Sequence, residues 1–405
     1  MTSIDKFTRL RALQESAYEL APALRTIYER AGLRPKDIYT TGDLSRLPIT
    51  SKDELLAAQH DHPPFGGFLA AREDEIARIF VSPGPLHEPQ LKSDIDGRGF
   101  AQAFETASIG PGDRVLNTWS YHLVPAGLLL DQGILACGAT VIPAGVGSIE
   151  LQAKIVIDLG ITCICASTAF FIALVDTLEN MGHQLPDTWK VRTAMLGGEM
   201  GDWMGKRRRL ELRYGIRTFS AYATGDFGLV GFEDGPEEGY AIHPDRIVQI
   251  CDPVTGLPVP EGTPGQIVVS TLTSGWPLIR FGTGDVAYAT ETGADGLVSR
   301  IGLLQGRVGQ AVKAREIFIY PRQLDELIAR VNGVCGAQAV VTRPQNREEI
   351  TLRLAIELGV DRNKIELEAP VEFQKLSRLR PDHIEILPSD GLAGETALVV
   401  DRKEI

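Results

Sequence analysis

The chain has no long hydrophobic run, little cysteine and a deficit of positive charge. No apolar stretch approaches the roughly 18 residues of a membrane-spanning helix, so the sequence predicts no membrane span. Lysine and arginine number 41 against 53 aspartates and glutamates, and the net charge of -12 argues against non-specific binding to nucleic acid or to an anionic membrane. The five cysteines are odd in number and scattered. Cys163 and Cys165 lie in an apolar, strand-like run, which indicates buried thiols rather than a metal site.

The bulk composition is that of a globular protein with more than one domain. Hydrophobic residues make up 43% and charged residues 23% of the chain. Its 405 residues exceed one ordinary hydrophobic core and indicate two or three domains. The first residues lack the apolar centre of a secretion signal, so we expect a cytoplasmic protein. The sequence does not determine the oligomeric state, and a homodimer is one of the alternatives.

Four patterns follow one another along the chain. Residues 1–60 are mostly helical, and Ser51 and Glu54 have the spacing of a capping box. From about residue 113, short apolar strands alternate with helices, as in a doubly wound sheet. Residues 240–300 are rich in strand and turn signals, and the rest is a smaller α+β pattern. We therefore predict an α/β protein with a large N-terminal domain, 1–305, that contains a helical arm and a β-subdomain, and a small C-terminal α+β domain, 306–405.

Several elements are specified more closely by their periodicity. Residues 139–143 are expected to form a buried strand, and residues 150–159 a helix with Leu151, Ile155 and Leu159 on one face. The basic run 206–209 is expected on a solvated helix face. Residues 321–331 and 370–379 are predicted helices of the small domain.

A proline-rich stretch follows the apolar residues 79–81. Residues 82–89 read SPGPLHEP and predict a stiff loop. A loop that cradles phosphate needs free N–H groups, hydroxyls and a lysine, whereas these prolines lack N–H groups and Glu88 would repel phosphate. From its residues alone, this loop is structural.

Two strand ends and one further motif are candidates for ligand binding. Residues 197–199 (GGE) and 222–226 (YATGD) each follow a predicted strand. Tyr222 could stack on a flat ring and Asp226 could hold a divalent cation, although two ordinary turns are the alternative. Residues 277–285 (PLIRFGTGD) end in Asp285, which could accept hydrogen bonds from two ribose hydroxyls or cap a local turn.

Taken in order, these motifs resemble the adenylate-forming enzymes, most closely the phenylacetate–coenzyme A ligase family. The resemblance runs over nearly the full length, and its most specific parts are residues 252–262 and 277–285. It implies that family's fold, with a small C-terminal domain that is mobile. It also implies a two-step reaction, in which a carboxylate attacks the α-phosphate of ATP and the thiolate of coenzyme A then displaces AMP.

The resemblance assigns roles to individual residues. Tyr222 would stack on adenine, Asp285 would hold the ribose, Asp226 would bind magnesium in place of the usual glutamate, and Arg307 would lie at the hinge. The implied nucleotide-binding residues are Gly197, Gly198, Glu199, Tyr222, Ala223 and Asp285. The implied acid pocket consists of Trp119, Tyr121, His122 and Pro125, an aromatic wall that suits an aryl or other hydrophobic acid. The implied ligands and cofactors are ATP or AMP, magnesium and coenzyme A, together with a small carboxylic acid.

The chain departs from the family at both ends of the phosphate chemistry. In the run that matches the family's phosphate loop, Ser82 and Gly84 are kept, but Glu88 stands at the lysine position. Glu395 stands where the adenylating lysine is expected. Losing a transition-state contact of about 3–4 kcal/mol costs roughly 100- to 1,000-fold in rate, so we expect ATP-driven adenylation to be severely impaired. Lys92 and Lys313 are candidates for the missing charge.

Three functions therefore remain open from the sequence. The first is an AMP-forming carboxylate–coenzyme A ligase that acts through an acyl adenylate. The second is a non-adenylating accessory protein that binds an acid, AMP or an acyl adenylate. The third is transfer of a preformed acyl group to another acceptor.

Overall fold

The computed structural model divides into two compact units, Met1–Val308 and Gly309–Ile405. It describes residues 3–82, 85–197, 203–294, 296–304, 306–308, 312–315, 317–319, 321–344, 347–395 and 399–402. Each unit has its own hydrophobic core. Within the described ranges, no helix combines the length and the apolar character that a membrane crossing requires.

The first unit begins with a helical arm. Its helices are α1 (Ser3–Leu20), α2 (Pro22–Arg30), α3 (Thr41–Leu44) and α4 (Lys52–Asp61), with short 3-10 turns at Pro35–Asp37 and Glu73–Glu75. The predicted capping box is confirmed, because the Glu54 N–H donates to Ser51 Oγ over 3.1 Å and the Ser51 N–H donates to Glu54 Oε2 over 2.7 Å. This cap fixes the start of α4 and places Lys52 in its first turn.

An antiparallel hairpin follows, formed by β1 (Ile76–Ser82) and β2 (Leu86–Leu91). The loop predicted over residues 82–89 is therefore wrong from residue 86 onward, where the chain is strand. Phe80 pairs with Glu88, and Ile79 pairs with Pro89. The strand tolerates Pro89 because β2 pairs only with β1 among the described strands, so one of its edges needs no N–H donor.

After α5 (Phe100–Thr106), the chain builds a five-stranded parallel sheet. Its strands are β3 (Arg114–Asn117), β4 (Thr140–Pro143), β5 (Cys163–Ser167), β6 (Thr193–Gly197) and β7 (Arg217–Phe219), in the order β4-β3-β5-β6-β7. The connecting helices are α6 (Pro125–Ala136), α7 (Ile149–Asp158), α8 (Thr168–Asn180) and α9 (Trp203–Tyr214). Because all the strands are parallel, their carboxyl ends meet at one edge, where ligands bind in such sheets. The predicted α/β fold class is confirmed.

Some details of this sheet correct the sequence prediction. The strand predicted to be buried, β4, is the edge strand and is only partly buried, because one side has no neighbouring strand. Helix α7 buries Gln152, Ala153 and Val156, whereas Leu151 and Leu159 are 57% and 45% exposed. The face that the two leucines share is therefore not the buried face of the helix.

The structure corrects the prediction for the basic run 206–209 and confirms the prediction for Cys163 and Cys165. Arg207, which was expected on a solvated face, is buried and forms two 2.8 Å hydrogen bonds to Glu233. Its charge is thus paired inside the unit, which a count of basic residues does not show. Cys163 and Cys165 are fully buried, as predicted.

The β-rich region forms two antiparallel sheets. One has the order β14-β15-β10-β9-β8 and the other β11-β12-β13-β16. Their strands are β8 (Ala221–Thr224), β9 (Gly228–Phe232), β10 (Tyr240–Ile242), β11 (Arg246–Cys251), β12 (Gly265–Thr271), β13 (Phe281–Ala287), β14 (Ala289–Thr292), β15 (Val298–Ile301) and β16 (Gly306–Arg307).

The second unit is a smaller α+β fold. Its elements are β17 (Val312–Ala314), β18 (Ile317–Ile319), α10 (Pro321–Arg330), β19 (Val334–Thr342), β20 (Glu349–Ile356), α11 (Arg362–Ser377), β21 (His383–Leu387) and β22 (Val399–Arg402). Its main sheet has the order β21-β20-β19-β22. The helix predicted to begin at Pro370 begins at Arg362 instead, because Asp361 caps the N–H groups of Asn363 and Lys364.

Candidate nucleotide and acyl site

A bulge in β13 positions Asp285. Gln266 of β12 pairs with Val286, and Val268 pairs with Gly282, so two steps along β12 match four along β13. The extra residues include Gly284, whose φ of +77° is favourable for glycine and strained for other residues. Asp285 therefore lies inside a strand, at a local kink, and not in the terminal turn that its TGD sequence had indicated.

The bulge brings Asp285 into contact with Tyr222 and Arg307. The Tyr222 hydroxyl donates to Asp285 Oδ2 over 2.8 Å, and Arg307 Nε lies 3.3 Å from Asp285 Oδ1. Burial, followed by the Asp285 charge, raises the pKa of Tyr222 well above its usual value, so the phenol remains a donor. Asp285 and Arg307 also face each other across β13 and β16. Three residues from separate parts of the sequence thus form one connected group, the Tyr222–Asp285–Arg307 chain.

Asp226 lies in the turn between β8 and β9, and the backbone of this turn is held on two sides. The Asp226 carbonyl accepts from Trp276 Nε1 over 3.1 Å, and the Phe227 carbonyl accepts from Arg246 Nη2 over 2.6 Å. Asp226 is only 3% exposed, and its Oδ1 lies 3.7 Å from Lys52 Nζ. Sequence analysis missed Lys52, although the capping box that places it was visible.

Glu88 is fully buried beside this turn. Ser82 Oγ donates to Glu88 Oε1 over 2.8 Å. Gly225 has no side chain, and a Cβ at that position would lie 3.0 Å from the same oxygen. Burial, and then the charge of Asp226, raises the pKa of Glu88 to about 7, against the opposing influence of Lys52, Ser82 and Arg98. In the described part of the chain, Glu88 Oε2 has no hydrogen-bond partner.

The structure describes only some of the remaining candidate residues for nucleotide and phosphate binding. Gly84, Gly198 and Glu199 lie outside the described residues. Gly197 ends β6 and pairs with Ser167 at the carboxyl edge of the parallel sheet, and Ala223 is exposed on β8. Lys92 Nζ donates to the Asp74 carbonyl over 2.6 Å, and the Lys313 side chain lies outside the described part.

The four acid-pocket candidates follow β3 at the same sheet edge. Trp119 packs partly buried against a hydrophobic core cluster, and Pro125 is the first residue of α6. The Tyr121 hydroxyl accepts from Asn117 Nδ2 over 2.8 Å and donates to Asp131 Oδ2 over 3.0 Å.

His122 differs from the other three acid-pocket candidates because it is exposed. The loop that carries it also joins the β1–β2 hairpin, since the Val81 N–H donates to the Leu123 carbonyl over 2.8 Å. The acid-pocket candidates and the hairpin that carries Glu88 therefore form adjoining parts of the first unit.

Glu395, at the expected adenylating-lysine position, lies in a hydrogen-bonded group of the second unit. It accepts from Arg353 Nη1 over 2.8 Å and from Gln338 Nε2 over 2.6 Å. The side-chain hydrogen bond from Arg353 is the largest cause that lowers the pKa of Glu395. Its negative charge is thus matched by partners within its own unit.

Asp226 is the magnesium candidate, and its surroundings bear on that role. Its carboxylate faces the ammonium of Lys52, which would compete with a cation for the same oxygen. Among the described residues, no group of three histidine, cysteine, aspartate or glutamate side chains could hold a metal ion. The magnesium role of Asp226 stays a prediction, and no step below is routed through the metal.

Comparison with known proteins identifies the class and then the family. No family model matches the chain. The structure of 2-hydroxyisobutyryl-CoA ligase in complex with 2-HIB-AMP and CoA is similar, with a TM-score of 0.88 and 22% identity over 99% of this chain and 89% of that one. The amide bond synthetase McbA from Marinactinospora thermotolerans is similar with a TM-score of 0.58 and 16% identity over 78% and 66% of the two chains. The fold is therefore that of the adenylate-forming enzymes.

Sequence relatives narrow this class. The chain is 30% identical to the phenylacetate-coenzyme A ligase of Thermus thermophilus over 371 residues, which are 86% of this chain and 82% of that protein. It is 27% identical to the phenylacetate-coenzyme A ligase of Aromatoleum evansii, over 88% and 81% of the two chains. The chain belongs to the phenylacetate–coenzyme A ligase family, and the resemblance seen in the sequence is confirmed.

Proposed function

We propose that this protein converts the acyl adenylate of an aryl or other hydrophobic acid into a coenzyme A thioester, with release of AMP. The observation that carries the proposal is the contact of Tyr222 and Arg307 with the two oxygens of Asp285. Its relatives support the same chemistry, since they include phenylacetate-coenzyme A ligases and a ligase whose structure contains 2-HIB-AMP and CoA.

The geometry of Asp285 suits a ribose. A carboxylate has about four acceptor positions on two oxygens, and the two contacts leave acceptor capacity for vicinal hydroxyls. Tyr222, held through its own hydroxyl, would present its ring to adenine. Asp285 would thus orient the ribose, while Arg307 places a positive charge beside it.

The acyl group would occupy the region of Trp119 and Tyr121. Tyr121 is fixed by hydrogen bonds to Asn117 and Asp131, so it offers a rigid ring at the carboxyl edge of the sheet. Rigid aromatic surface favours an aryl or hydrophobic acid over a small polar one.

A second candidate is the non-adenylating accessory protein, and a specific observation favours it. Glu395 stands at the adenylating-lysine position and accepts hydrogen bonds from Arg353 and Gln338. The neighbouring side chains therefore stabilise a negative charge at this position, where the family has a positive one. Transfer of a preformed acyl group to an acceptor other than coenzyme A is the related third function.

The half-reactions separate these functions. Purified protein is mixed with synthetic phenylacetyl adenylate and coenzyme A, and thioester and AMP are followed in a single turnover. We expect thioester formation above the uncatalysed rate. Asp285→Ala should reduce apparent affinity for the adenylate by about 10- to 100-fold, since it removes a charged hydrogen-bonding group. Asp61→Ala, at an exposed aspartate, is the matched control.

ATP–pyrophosphate exchange with a panel of acids then tests the first half-reaction. Robust exchange would exclude the non-adenylating candidate. Thioester formation from the adenylate without exchange supports the proposal as stated. Binding of the adenylate without any thioester would overturn the proposal in favour of the accessory protein.

A further inference from the structure

The hydroxyl of Thr283 lies at the centre of the bulge in β13. Opposite residues 283–285 of this strand, β12 contributes only Ile267, so the regular pairing of the two strands is interrupted. Thr283 is 6% exposed, and water therefore has little access to the backbone groups that the bulge releases from the ladder. Such buried groups need another hydrogen-bond partner, because leaving them unpaired is costly.

The Thr283 hydroxyl is that partner for one backbone group on each strand. Its Oγ1 donates to the Ile267 carbonyl over 3.0 Å and accepts from the Asp285 N–H over 3.0 Å. The side chain thus takes the place of ladder hydrogen bonds and spans Gly284, whose φ of +77° turns the strand. The backbone of Asp285 is therefore fixed by the side chain of Thr283.

The same hydroxyl acts on Tyr222. Burial and then the charge of Asp285 raise the pKa of Tyr222, and the side-chain hydrogen bond with Thr283 opposes them. The Tyr222 hydroxyl itself donates to Asp285 Oδ2 over 2.8 Å. One threonine therefore joins the two residues that the proposed function assigns to adenine and to ribose.

We propose that Thr283 is a positioning residue that makes this site select ribonucleotides over 2′-deoxyribonucleotides. It acts through Asp285, because a fixed Asp285 backbone directs the carboxylate so that it accepts from two vicinal hydroxyls at once. This inference rests on the proposed function, since it takes Asp285 as the carboxylate that binds the ribose.

The physical reason is the geometry of a vicinal diol. Two hydroxyls on neighbouring ring carbons need two acceptor positions at a set distance and direction, and hydrogen bonds weaken steeply when they are misaligned. Tyr222 and Arg307 already occupy one direction on each oxygen of Asp285, so few acceptor directions are left. A carboxylate that shifts would keep one hydroxyl and lose the other. The 2′-hydroxyl would then contribute little to affinity.

The test measures the affinities of AMP and 2′-deoxy-AMP by calorimetry in the wild type, Thr283→Val and Thr283→Ser. We expect the wild type to prefer AMP by about tenfold, the value of one hydrogen bond to a charged acceptor. Thr283→Val keeps the shape of the side chain and loses the hydroxyl, so the preference should fall to about twofold and AMP should bind about tenfold more weakly. Thr283→Ser restores the hydroxyl and should keep the preference of the wild type.

Thr271→Val is the matched control. Thr271 ends β12, is 1% exposed, and its hydroxyl contacts the Leu278 and Trp276 carbonyls at 3.3 and 3.4 Å. The same substitution there removes a buried hydroxyl without touching Asp285, so the preference for AMP should stay as in the wild type. An equal fall of the preference in Thr271→Val and Thr283→Val would overturn the inference, because the effect would then be a general loss of stability.

A measurement on the wild type alone covers the case in which Thr283→Val fails to fold. Hydrogen exchange of the Asp285 amide reports its bond to Thr283 in the protein without nucleotide. We expect this amide to exchange at least about 100-fold more slowly than in an unstructured peptide, with AMP absent. Exchange at the rate of the unstructured peptide would overturn the inference, since Asp285 would not be positioned before the nucleotide binds.

The outcomes also separate this inference from the proposed function. If AMP and the acyl adenylate both fail to bind the wild type, the proposed function fails. If AMP binds the wild type but folded Thr283→Val keeps the same preference for AMP over 2′-deoxy-AMP, Thr283 does not position Asp285 for the diol and only the inference falls.

Discussion

Buried charged side chains of the first unit are satisfied in contrasting ways. Arg280 donates to the Ser45 and Leu47 carbonyls, both over 2.6 Å, and Arg246 donates to the Phe227 carbonyl. Both arginines tie backbone segments together and point to a structural role. Glu88 has a single described hydrogen bond, from Ser82, and it faces a second carboxylate. Among the described contacts, Glu88 therefore has fewer hydrogen bonds than either arginine.

The hydrogen bond from Tyr222 to Asp285 gives the first prediction. Tyr222→Phe removes a buried donor to a carboxylate, so we expect the free energy of unfolding to fall by about 1–3 kcal/mol. Urea unfolding measures this change. The control is Tyr240→Phe, because the one hydrogen bond of the Tyr240 hydroxyl to a described residue is a 3.3 Å contact with the neutral Ser220 Oγ. This variant should lose less stability. An equal loss of unfolding free energy in the two variants would show that the hydrogen bond to Asp285 stabilises the fold no more than the contact with Ser220 does.

For single residues, the sequence was sufficient to select candidates for the site but not to predict which side chains they contact. Tyr222, Asp226 and Asp285 stood out because each belongs to a short motif after an apolar run. Lys52 did not, since it lies 174 positions from Asp226 by their residue numbers and only the folded chain brings them together. Arg280 lay inside a recognised motif, yet its carbonyl partners come from residues 45, 47 and 256.

Among the elements, the bulge of β13 has the most direct bearing on the site. It exists because Gly284 adopts a φ of +77°, and it turns Asp285 toward Tyr222 and Arg307. A Cβ on Gly284 would lie 3.3 Å from Arg307 Nη2. The glycine of the TGD motif is therefore explained by backbone conformation and by the space for Arg307.

Gly284→Ala tests this explanation. We expect a loss of about 1–2 kcal/mol of stability from the left-handed backbone and, in addition, weaker AMP binding because Asp285 shifts. Gly262→Ala is a matched control, since Gly262 has a similar φ of +78° but nothing within 4 Å of its Cβ position. The control should lose similar stability and keep AMP affinity. Unfolding and AMP titration of both variants provide the comparison, and unchanged AMP affinity in Gly284→Ala would contradict the account.

The proline inside α11 gives a prediction for the second unit. Pro370 lies within Arg362–Ser377 and cannot donate to the Glu366 carbonyl four residues earlier. Pro370→Ala restores this donor and removes the ring, so the free energy of unfolding of this unit should rise by about 1–3 kcal/mol. Thermal unfolding checks the direction. Destabilisation would mean that the helix depends on the ring for packing.

The elements that the sequence predicted poorly share a cause. Proline was treated as the end or start of an element at residues 89 and 370, whereas an edge strand and a well-capped helix both accept it here. The periodicity of 150–159 placed Leu151 and Leu159 on one face, but the residues that α7 buries include Ala153 and Val156 instead. The alternation of strands and helices predicted the parallel sheet correctly, because it is a local feature of the sequence. Which strand lies at the edge of a sheet, and which face of a helix is buried, depends on the neighbouring elements of the fold.

For the molecule as a whole, two buried groups make opposing contributions to stability as pH changes. The pKa of Glu88 is raised from 4.5 to about 7, so the folded state holds more protons than the unfolded state between those values. Stability from this group therefore falls as pH rises through that window. The pKa of His243 is lowered from 6.5 to about 4 by burial and by Arg246, so its contribution rises with pH over that range.

Glu88→Gln separates the two contributions. Relative to this variant, the wild type should lose stability on the order of 3 kcal/mol between pH 4.5 and pH 7.5. Urea unfolding of both proteins at several pH values gives this difference. A difference that is constant over the window would show that Glu88 ionises in the folded protein as it does in the unfolded chain.

The central claim is that the Tyr222–Asp285–Arg307 chain binds the nucleoside end of an adenylate, and AMP titration of the wild type and Asp285→Asn tests it most directly. The asparagine keeps the size of the side chain but loses the charge and half of the acceptor oxygens. The account predicts saturable binding of one AMP per chain, weakened by about 10- to 100-fold in Asp285→Asn. Equal AMP affinity in the two folded proteins would contradict it.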